Sequence, residues 1–439
     1  MSGTLRSKQS RARWASRLSK GARSPQAFKA QLPSTRPRAL ELPLDSGKVI
    51  LLRGIRRSGK TSLFYHTMRR LEASGVAREQ ILYVNLEDDR LYPIRADELD
   101  LILQAHGELL PEFQKKPLYL FLDEIQAVNG WERFVRRVHD TEHAALFVTG
   151  SAPHLLGRQI APVLRGRCLS YELLPLSFSE SIRFRDLTFE TYSRTSKAMA
   201  VNVLEEYLRW GGFPEILLAE EPLRRKIVTE YADVLYYRDL LDEFSVRNEH
   251  VMRLLLKHSL SHPAALVSPH KLYHDFRSQG VRISKNTIYE YLRFLEEAGL
   301  IYSVPIFAQS LRKQEQNPKK TYIADLGLMQ AFTAQPDKDQ GRKLENLIFL
   351  KKRVLGGELF YCSDGHEVDI VHHAGANLTF TNVCWPVESP QTSRREIAGL
   401  TAAFQRFPQA EFELIGHELP KNQAPAPIVQ KSAWQYLLE

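Results

Sequence analysis

Short unbroken apolar runs alternate with helical spacing through the first third of the chain. The runs at 49–52, 80–86, 117–124 and 144–151 have strand length and too little polar alternation for a half-exposed strand. Between them, 63–73 places Leu63, Phe64, Thr67, Met68 and Leu71 near one helical face, Gly75 closes it, and 95–110 is amphipathic again. Strands alternating with helices predict a mostly parallel sheet covered on both faces. The pattern then turns helical. A helix at 201–210 stops at Gly211-Gly212-Phe213-Pro214, and 222–242 spaces Ile227, Tyr231, Val234 and Leu235 for packing. Residues 250–305 read as three helices and a hairpin, the third helix (283–295) entered through the cap residue Ser284. Strands return at 320–328, 360–362, 367–371 and 378–385, around a helix at 341–355 and before a closing helix at 393–404. The segment 418–430, with Pro420, Pro425 and Pro427, predicts a loose tail.

Length changes this picture only by dividing it: 439 residues suggest two to four domains. No apolar run approaches the ~18–20 residues of a membrane span. Three scattered cysteines, Cys168, Cys362 and Cys384, match no metal pattern and fit a reducing compartment, the cytoplasm. The net charge of +9 is concentrated at one end, because residues 1–38 carry ten Lys or Arg and no acid, leaving 50 basic against 51 acidic residues elsewhere. Such an arm is expected to be disordered alone. It suits a solubilising or phosphate-binding tail, and its Arg- and Ser-rich make-up also suits a transit peptide.

The chemistry centres on Gly54-Ile55-Arg56-Arg57-Ser58-Gly59-Lys60-Thr61-Ser62, directly after a strand and opening a helix. This spacing turns backbone N–H groups around an anion, and the helix N-terminus adds its dipole. Gly54, Arg57, Ser58, Gly59, Lys60, Thr61 and Ser62 are the expected ATP-binding residues; Lys60 reaches the terminal phosphates and Thr61 the Mg2+. Asp123-Glu124 closes the third strand; the pair suits a helix start, and downstream of a phosphate loop it suits Mg2+ (Asp123) and the attacking water (Glu124). Thr149 or Ser151 is placed either to meet the phosphate or to satisfy a strand end, and an arginine of Leu164-Arg165-Gly166-Arg167 either to reach a neighbouring subunit's nucleotide or to lie on the surface. The 250–305 pattern is that of a helix-turn-helix with a wing. Ser284, Lys285, Asn286, Thr287 and Tyr289 suit phosphate and base contacts, and the same module serves protein partners elsewhere.

Gly54–Thr61, Tyr83-Val84-Asn85-Leu86-Glu87-Asp88-Asp89, Leu122-Asp123-Glu124-Ile125-Gln126, Thr149-Gly150-Ser151, Gly166-Arg167 before Pro175-Leu176-Ser177-Phe178, Gly211–Glu215 and Tyr237-Arg238-Asp239-Leu240 together resemble the AAA+-type (archaeal-ATPase/STAND-like, AAA_14) P-loop ATPases with a C-terminal DUF4143 region. The resemblance spans 47–405 and implies Walker roles for Lys60, Thr61, Asp123 and Glu124, and an arginine role for Arg167. Ala152-Pro153 stands where family members often have a polar residue, which weakens the expected sensor. The C-terminal strands resemble a PD-(D/E)XK nuclease: Glu345 and Asp369 fit two positions, but Asn382-Val383-Cys384 supplies neither the third carboxylate nor the lysine. His366, His372 and His373 read as surface residues.

The expected order is a basic arm (1–40), ATPase core (41–190), helical lid (191–246), winged helix (247–312), degenerate nuclease-like domain (313–417) and tail (418–439), in an α/β protein with a parallel-sheet core. The expected activity is Mg2+-dependent ATP hydrolysis in a homo-oligomer acting on DNA. The alternatives are a slow nucleotide switch with a protein partner and, against Asn382 and Cys384, an active nuclease.

Overall fold

The computed structural model describes residues 32–150, 163–189, 194–333, 335, 338–363, 367–385, 390–417 and 424–439. Residues 1–31 of the basic arm, Ser151 with Ala152-Pro153, and His366 lie outside the described residues. The chain divides into two compact units, Met1–Leu174 and Pro175–Glu439.

The first unit is a parallel five-stranded sheet of β1 (Val49–Arg53), β2 (Ile81–Asn85), β3 (Leu118–Asp123), β4 (Ala144–Gly150) and β5 (Cys168–Glu172), in the order β2-β3-β4-β1-β5. Its strands read as continuous apolar runs because both faces are covered. On one face, Leu63, Phe64, Met68 and Leu71 of α1 (Lys60–Ala73) pack on Ile50, Leu52, Phe121 and Phe147. On the other, α2 (Asp100–Leu109) and α3 (Trp131–Thr141) pack Ile102, Trp131, Phe134 and Val138 on Leu51, Leu122 and Val148. Leu32 and Leu42 join the α1 face, and Arg69 and Arg70 donate to their carbonyls at 2.7 and 3.1 Å. The expected disordered arm therefore ends before Leu32: apolar residues at 32 and 42 anchor the chain between them.

The second unit opens with α4 (Phe178–Phe184), α5 (Arg194–Trp210), α6 (Pro214–Leu218) and α7 (Glu221–Val234), the last running into a π-helical turn, Leu235–Leu241. Ser177 and Glu180 cap α4 reciprocally. The boundary between the two compact units falls after Leu174, which places α4 in the second unit. Next come α8 (Glu249–Ser261), β6 (Ala265–Val267), α9 (Pro269–Ser278), α10 (Lys285–Glu297), β7 (Ile301–Val304), α11 (Leu311–Gln316) and β8 (Lys319–Ile323). The three strands form an antiparallel sheet, β6-β8-β7. β8, expected to open the nuclease-like domain, instead completes the sheet of the preceding three-helix segment, pairing Ala265 with Thr321 and Tyr302 with Tyr322.

After α12 (Met329–Phe332) and α13 (Gln340–Val354), β9 (Glu358–Cys362), β10 (Val368–Ala374), β11 (Asn377–Cys384), β12 (Glu411–Gly416) and β13 (Val429–Ser432) form a mixed sheet in the order β13-β12-β11-β10-β9. α14 (Pro390–Arg406) covers it through Leu400, which packs with Phe380 and Phe412. The expected loose tail is a correction: β13 pairs in parallel with β12, and α15 (Ala433–Leu438) buries Trp434, Tyr436 and Leu437. A proline-rich stretch reads as loop, but the apolar residues beyond it find a sheet edge. His372, expected on the surface, is buried with Nε2 2.5 Å from the Gly356 carbonyl. His373 is half exposed, 3.7 Å from Glu358.

Candidate functional site

The phosphate loop leaves β1 at Arg53 and enters α1 at Lys60. Two glycines are required here. A Cβ on Gly54 would overlap the Leu173 carbonyl, and Gly59 has φ +100°. Gly59 is the N-cap and offers no side chain, so no side-chain acceptor caps the first N–H groups of α1. Lys60 is buried and donates to the carbonyls of Gly54 and Ile55 at 3.1 and 3.3 Å. Ser58 is fully buried, and its hydroxyl has no hydrogen-bond partner among the described residues. Arg57 (φ +65°) and Ser62 are exposed on the rim.

Asp123, 1% exposed, ends β3 and accepts from three hydroxyls. Thr61 and Tyr83 donate to Oδ2 at 2.7 and 2.8 Å, and Thr149 donates to Oδ1. β4 makes this possible by lying between β1 and β3, which brings Thr149 beside Asp123. Thr149 Oγ1 also accepts from the Glu124 backbone N–H at 3.2 Å, so it serves the strand end as well as the carboxylate. Glu124 is held in the left-handed region at φ +53°, a conformation a non-glycine residue adopts at a cost, and Gln126 donates to its carboxylate at 2.6 Å. Burial, and then the charge of Asp123, raises the Tyr83 pKa, so the phenol stays a donor.

Two participants had no role assigned from the sequence. Tyr83 stands on the neighbouring strand, three residues into an apolar run and at the head of the Tyr83–Asp89 motif. Arg38, buried to 7% exposure, donates from Nη1 to the Ser58 carbonyl at 2.8 Å and from Nη2 to Leu174 at 2.9 Å. Arg167 is at the other end of the sheet. Its backbone accepts from Val49, where β1 begins, while the phosphate loop follows Arg53. Five residues of strand separate the two ends, roughly 16 Å. There Arg167 Nε donates to Asp140 at 2.9 Å.

In the second unit, Ser284, Lys285, Asn286 and Tyr289 are exposed along the first turns of α10, Tyr289 at 57%, whereas Thr287 is half buried. The Ser284 hydroxyl is engaged by the Thr287 N–H at 3.1 Å and lies 2.9 Å from its hydroxyl.

Glu345 of α13 and Asp369 of β10 do come together, and a lysine accompanies them. Lys320 of β8 places Nζ 2.8 Å from Glu345 Oε1 and 2.9 Å from Asp369 Oδ1. The lysine missing from β11 is thus replaced at this position by one from another sheet. Burial opposes the ammonium's charge, but Asp369 and then Glu345 overcome it and raise the Lys320 pKa. Burial and the charge of Asp369 push Glu345 up to about 8, against the pull of Lys320. Asn382 is a cross-link, accepting from Asp369 N at 2.9 Å and donating to the Glu396 carbonyl at 2.9 Å. Cys384 is buried, and burial pushes its thiol up to about 11.

Residues 46–182 match a family described as an AAA domain. Residues 201–339 match a domain of unknown function, DUF8612, where the sequence resemblance pointed to DUF4143. An uncharacterized protein of Methanocaldococcus jannaschii, MJ1544, is 33% identical over 364 residues, 81% of this chain and 79% of its own length. An uncharacterized protein of Haemophilus influenzae is 27% identical over 349 residues, 78% of this chain and 84% of its own. Among solved structures, the Walker-type ATPase PABY2304 of Pyrococcus abyssi covers 69% of this chain and 99% of its own at 16% identity, with a TM-score of 0.43. With an AAA domain around its phosphate loop and a third of its residues shared along most of the archaeal protein, the chain belongs to the family of P-loop, AAA-type ATPase-domain proteins that includes MJ1544.

Proposed function

We propose that the chain binds ATP with Mg2+ at Gly54–Ser62 and hydrolyses it, and that the nucleotide state governs how the second unit meets DNA. The observation that carries this reading is the clasp of three hydroxyls on Asp123 beside the phosphate loop. Lys60, the uncapped N–H groups of α1 and the orphaned Ser58 hydroxyl offer donors to an anion. Thr61 and Asp123 present two oxygens 2.7 Å apart, a hard donor pair that fits Mg2+. Held by Thr61 and Asp123, the ion would supply positive charge against the charge that develops on the transferred phosphate. Glu124, one residue beyond Asp123 and aimed by its left-handed backbone, takes a proton from the attacking water. Arg167 is too far from the loop of its own chain, so it serves a neighbouring subunit in a homo-oligomer.

Three helices beside an antiparallel sheet favour the winged-helix reading of the second unit. The exposed Lys285, Asn286 and Tyr289 then form the DNA-facing surface, joined by Lys271, Arg277 and Arg282. Free thiols at Cys168, Cys362 and Cys384 suit the reducing cytoplasm. Among the described residues no helix is long and apolar enough to cross a membrane.

The test is ATP turnover by the wild type and Glu124→Gln, with and without duplex DNA, at low and moderate salt. Glu124→Gln is expected to lose about 10²–10⁴-fold in turnover while still binding ATP. Wild-type turnover is expected to rise with DNA, and the rise to fade with salt. Undiminished turnover in the variant overturns the role of Glu124. Turnover indifferent to DNA at low salt overturns the DNA reading and favours a protein partner.

A further inference from the structure

The nuclease-like resemblance implies a Mg2+ between Glu345 and Asp369, and the side chains present do not fit one. Mg2+ requires oxygen ligands at about 2.0–2.1 Å in near-octahedral order. Here the point between the two carboxylates holds an ammonium. Lys320 Nζ stands 2.8 Å from Glu345 Oε1 and 2.9 Å from Asp369 Oδ1, and the side chain is 4% exposed. The remaining valences are also used: Tyr322 donates to Glu345 Oε1 at 2.7 Å, and the Val383 N–H donates to Asp369 Oδ2 at 3.0 Å.

We propose that Glu345 and Asp369 form a latent divalent-cation site closed by a resident cation, the ammonium of Lys320, and that removing this lysine opens the site to Mg2+ or Mn2+. A buried pair of carboxylates stripped of its counter-charge is strongly destabilised, and either a proton or a metal ion relieves it, so Mn2+ in excess competes for the vacated place. The site has an approach from solvent. A cleft of about 630 Å³ is lined by Lys320, Glu345 and Asp369, with Glu367 and Glu396 adding two more carboxylates and Arg395 on its wall. Water from the cleft would complete the shell, as Mg2+ and Mn2+ accept one or two carboxylates with several waters. β8 belongs to the sheet of the three-helix segment, so the same ammonium joins that segment to α13 and β10. The proposal is independent of ATP hydrolysis and of the phosphate loop.

The experiment titrates the nucleotide-free full chain with Mn2+ and follows free Mn2+ by electron paramagnetic resonance. It compares the wild type, Asp369→Asn, Lys320→Met and Lys320→Met/Asp369→Asn. The wild type and Asp369→Asn are expected to bind the same amount of Mn2+. Lys320→Met is expected to bind one more ion per chain, lost again in the double variant. Mn2+ should also raise the melting temperature of Lys320→Met but not of Lys320→Met/Asp369→Asn. Wild-type binding lost in Asp369→Asn overturns the proposal, since the site then takes metal with the lysine in place. A Lys320→Met that binds no extra ion also overturns it. If Lys320→Met unfolds in chelator, recovery by Mn2+ supports the proposal, and failure of both it and Lys320→Gln to recover overturns it.

Discussion

Asp123 concentrates the chemistry of the first unit in one residue. Three hydroxyls from α1, β2 and β4 converge on its two oxygens, so loop, strand and neighbouring strand share one carboxylate. The meeting of Thr61 with Asp123 beside Lys60 was expected from the sequence, because a phosphate loop constrains residue type at fixed offsets from a strand. Tyr83 was not, because a tyrosine in an apolar run is indistinguishable from core until the register sets it beside Asp123. Arg38 was hidden by its neighbours: the last of ten cations in an acid-free stretch reads as solvated charge, yet it reaches the loop. Arg38→Ala removes both its hydrogen bonds, leaving the carbonyls of Ser58 and Leu174 without that donor. A loss of about 1.5–3 kcal/mol in stability is expected for each such charged hydrogen bond, read by denaturant unfolding. ATP-analogue affinity should fall with it, because the loop loses its brace; unchanged affinity and stability refute this role.

Among the elements, the turn after β8 has the widest reach. Asp325 is buried and accepts from Gly212 N at 2.6 Å and Gly327 N at 2.8 Å. The fit requires glycine: Gly211 has φ +71°, and a Cβ there would overlap Asp325 Oδ1. Gly212 in turn accepts from Leu176 N at 2.8 Å. Three stretches that had only a family resemblance in common in the sequence therefore meet at one point. The sequence foretold the stop of α5 at the glycine pair but not its partner, because nothing local to Asp325 identifies a carboxylate one of whose donors lies over a hundred residues earlier. Lys320 read only as local positive charge for the same reason, since its partners lie on α13 and β10. Burial pushes the Asp325 pKa up to about 7, against the two N–H donors. The folded chain thus holds this proton more tightly than the unfolded chain, whose carboxylate titrates near 4 (about 3.9). Its contribution to stability is complete below about pH 4, is lost as pH rises towards about 7, and is level above. Asp325→Asn cannot ionise, so its melting temperature should lack that decline between pH 4 and 7, although an amide serves one N–H less well and lowers stability overall. Identical pH profiles for the two proteins refute the assignment.

For the whole molecule, the sequence foresaw the parallel-sheet core and the switch from strand to helix, because periodicity reports burial directly. It missed the end of the chain, whose final residues belong to a sheet and a helix. Arg167 is a statement about assembly. In the proposed mechanism its place at the start of β5, away from the loop of its own sheet, assigns it to a neighbouring subunit's nucleotide. Arg167→Ala should bind ATP as the wild type does but turn over about 10³-fold more slowly. Mixing it with Glu124→Gln chains should restore part of the activity, since the second variant lends its arginine to an intact glutamate. A mixture no faster than its parts refutes action across subunits.

The clasp at Asp325 also bears on the order in which the protein is made. Gly212 precedes its acceptor by 113 residues. At the ribosome's pace of roughly 5–20 residues per second, the end of α5 emerges roughly 6–23 s before the carboxylate that fastens it exists. The Gly212 N–H must therefore wait, bound to water. A nascent chain stalled before residue 325 would carry its first helices without their fastening. The matched domain at 201–339 encloses both halves of the clasp, so the segment inherited together is also the segment that must be finished before it can close.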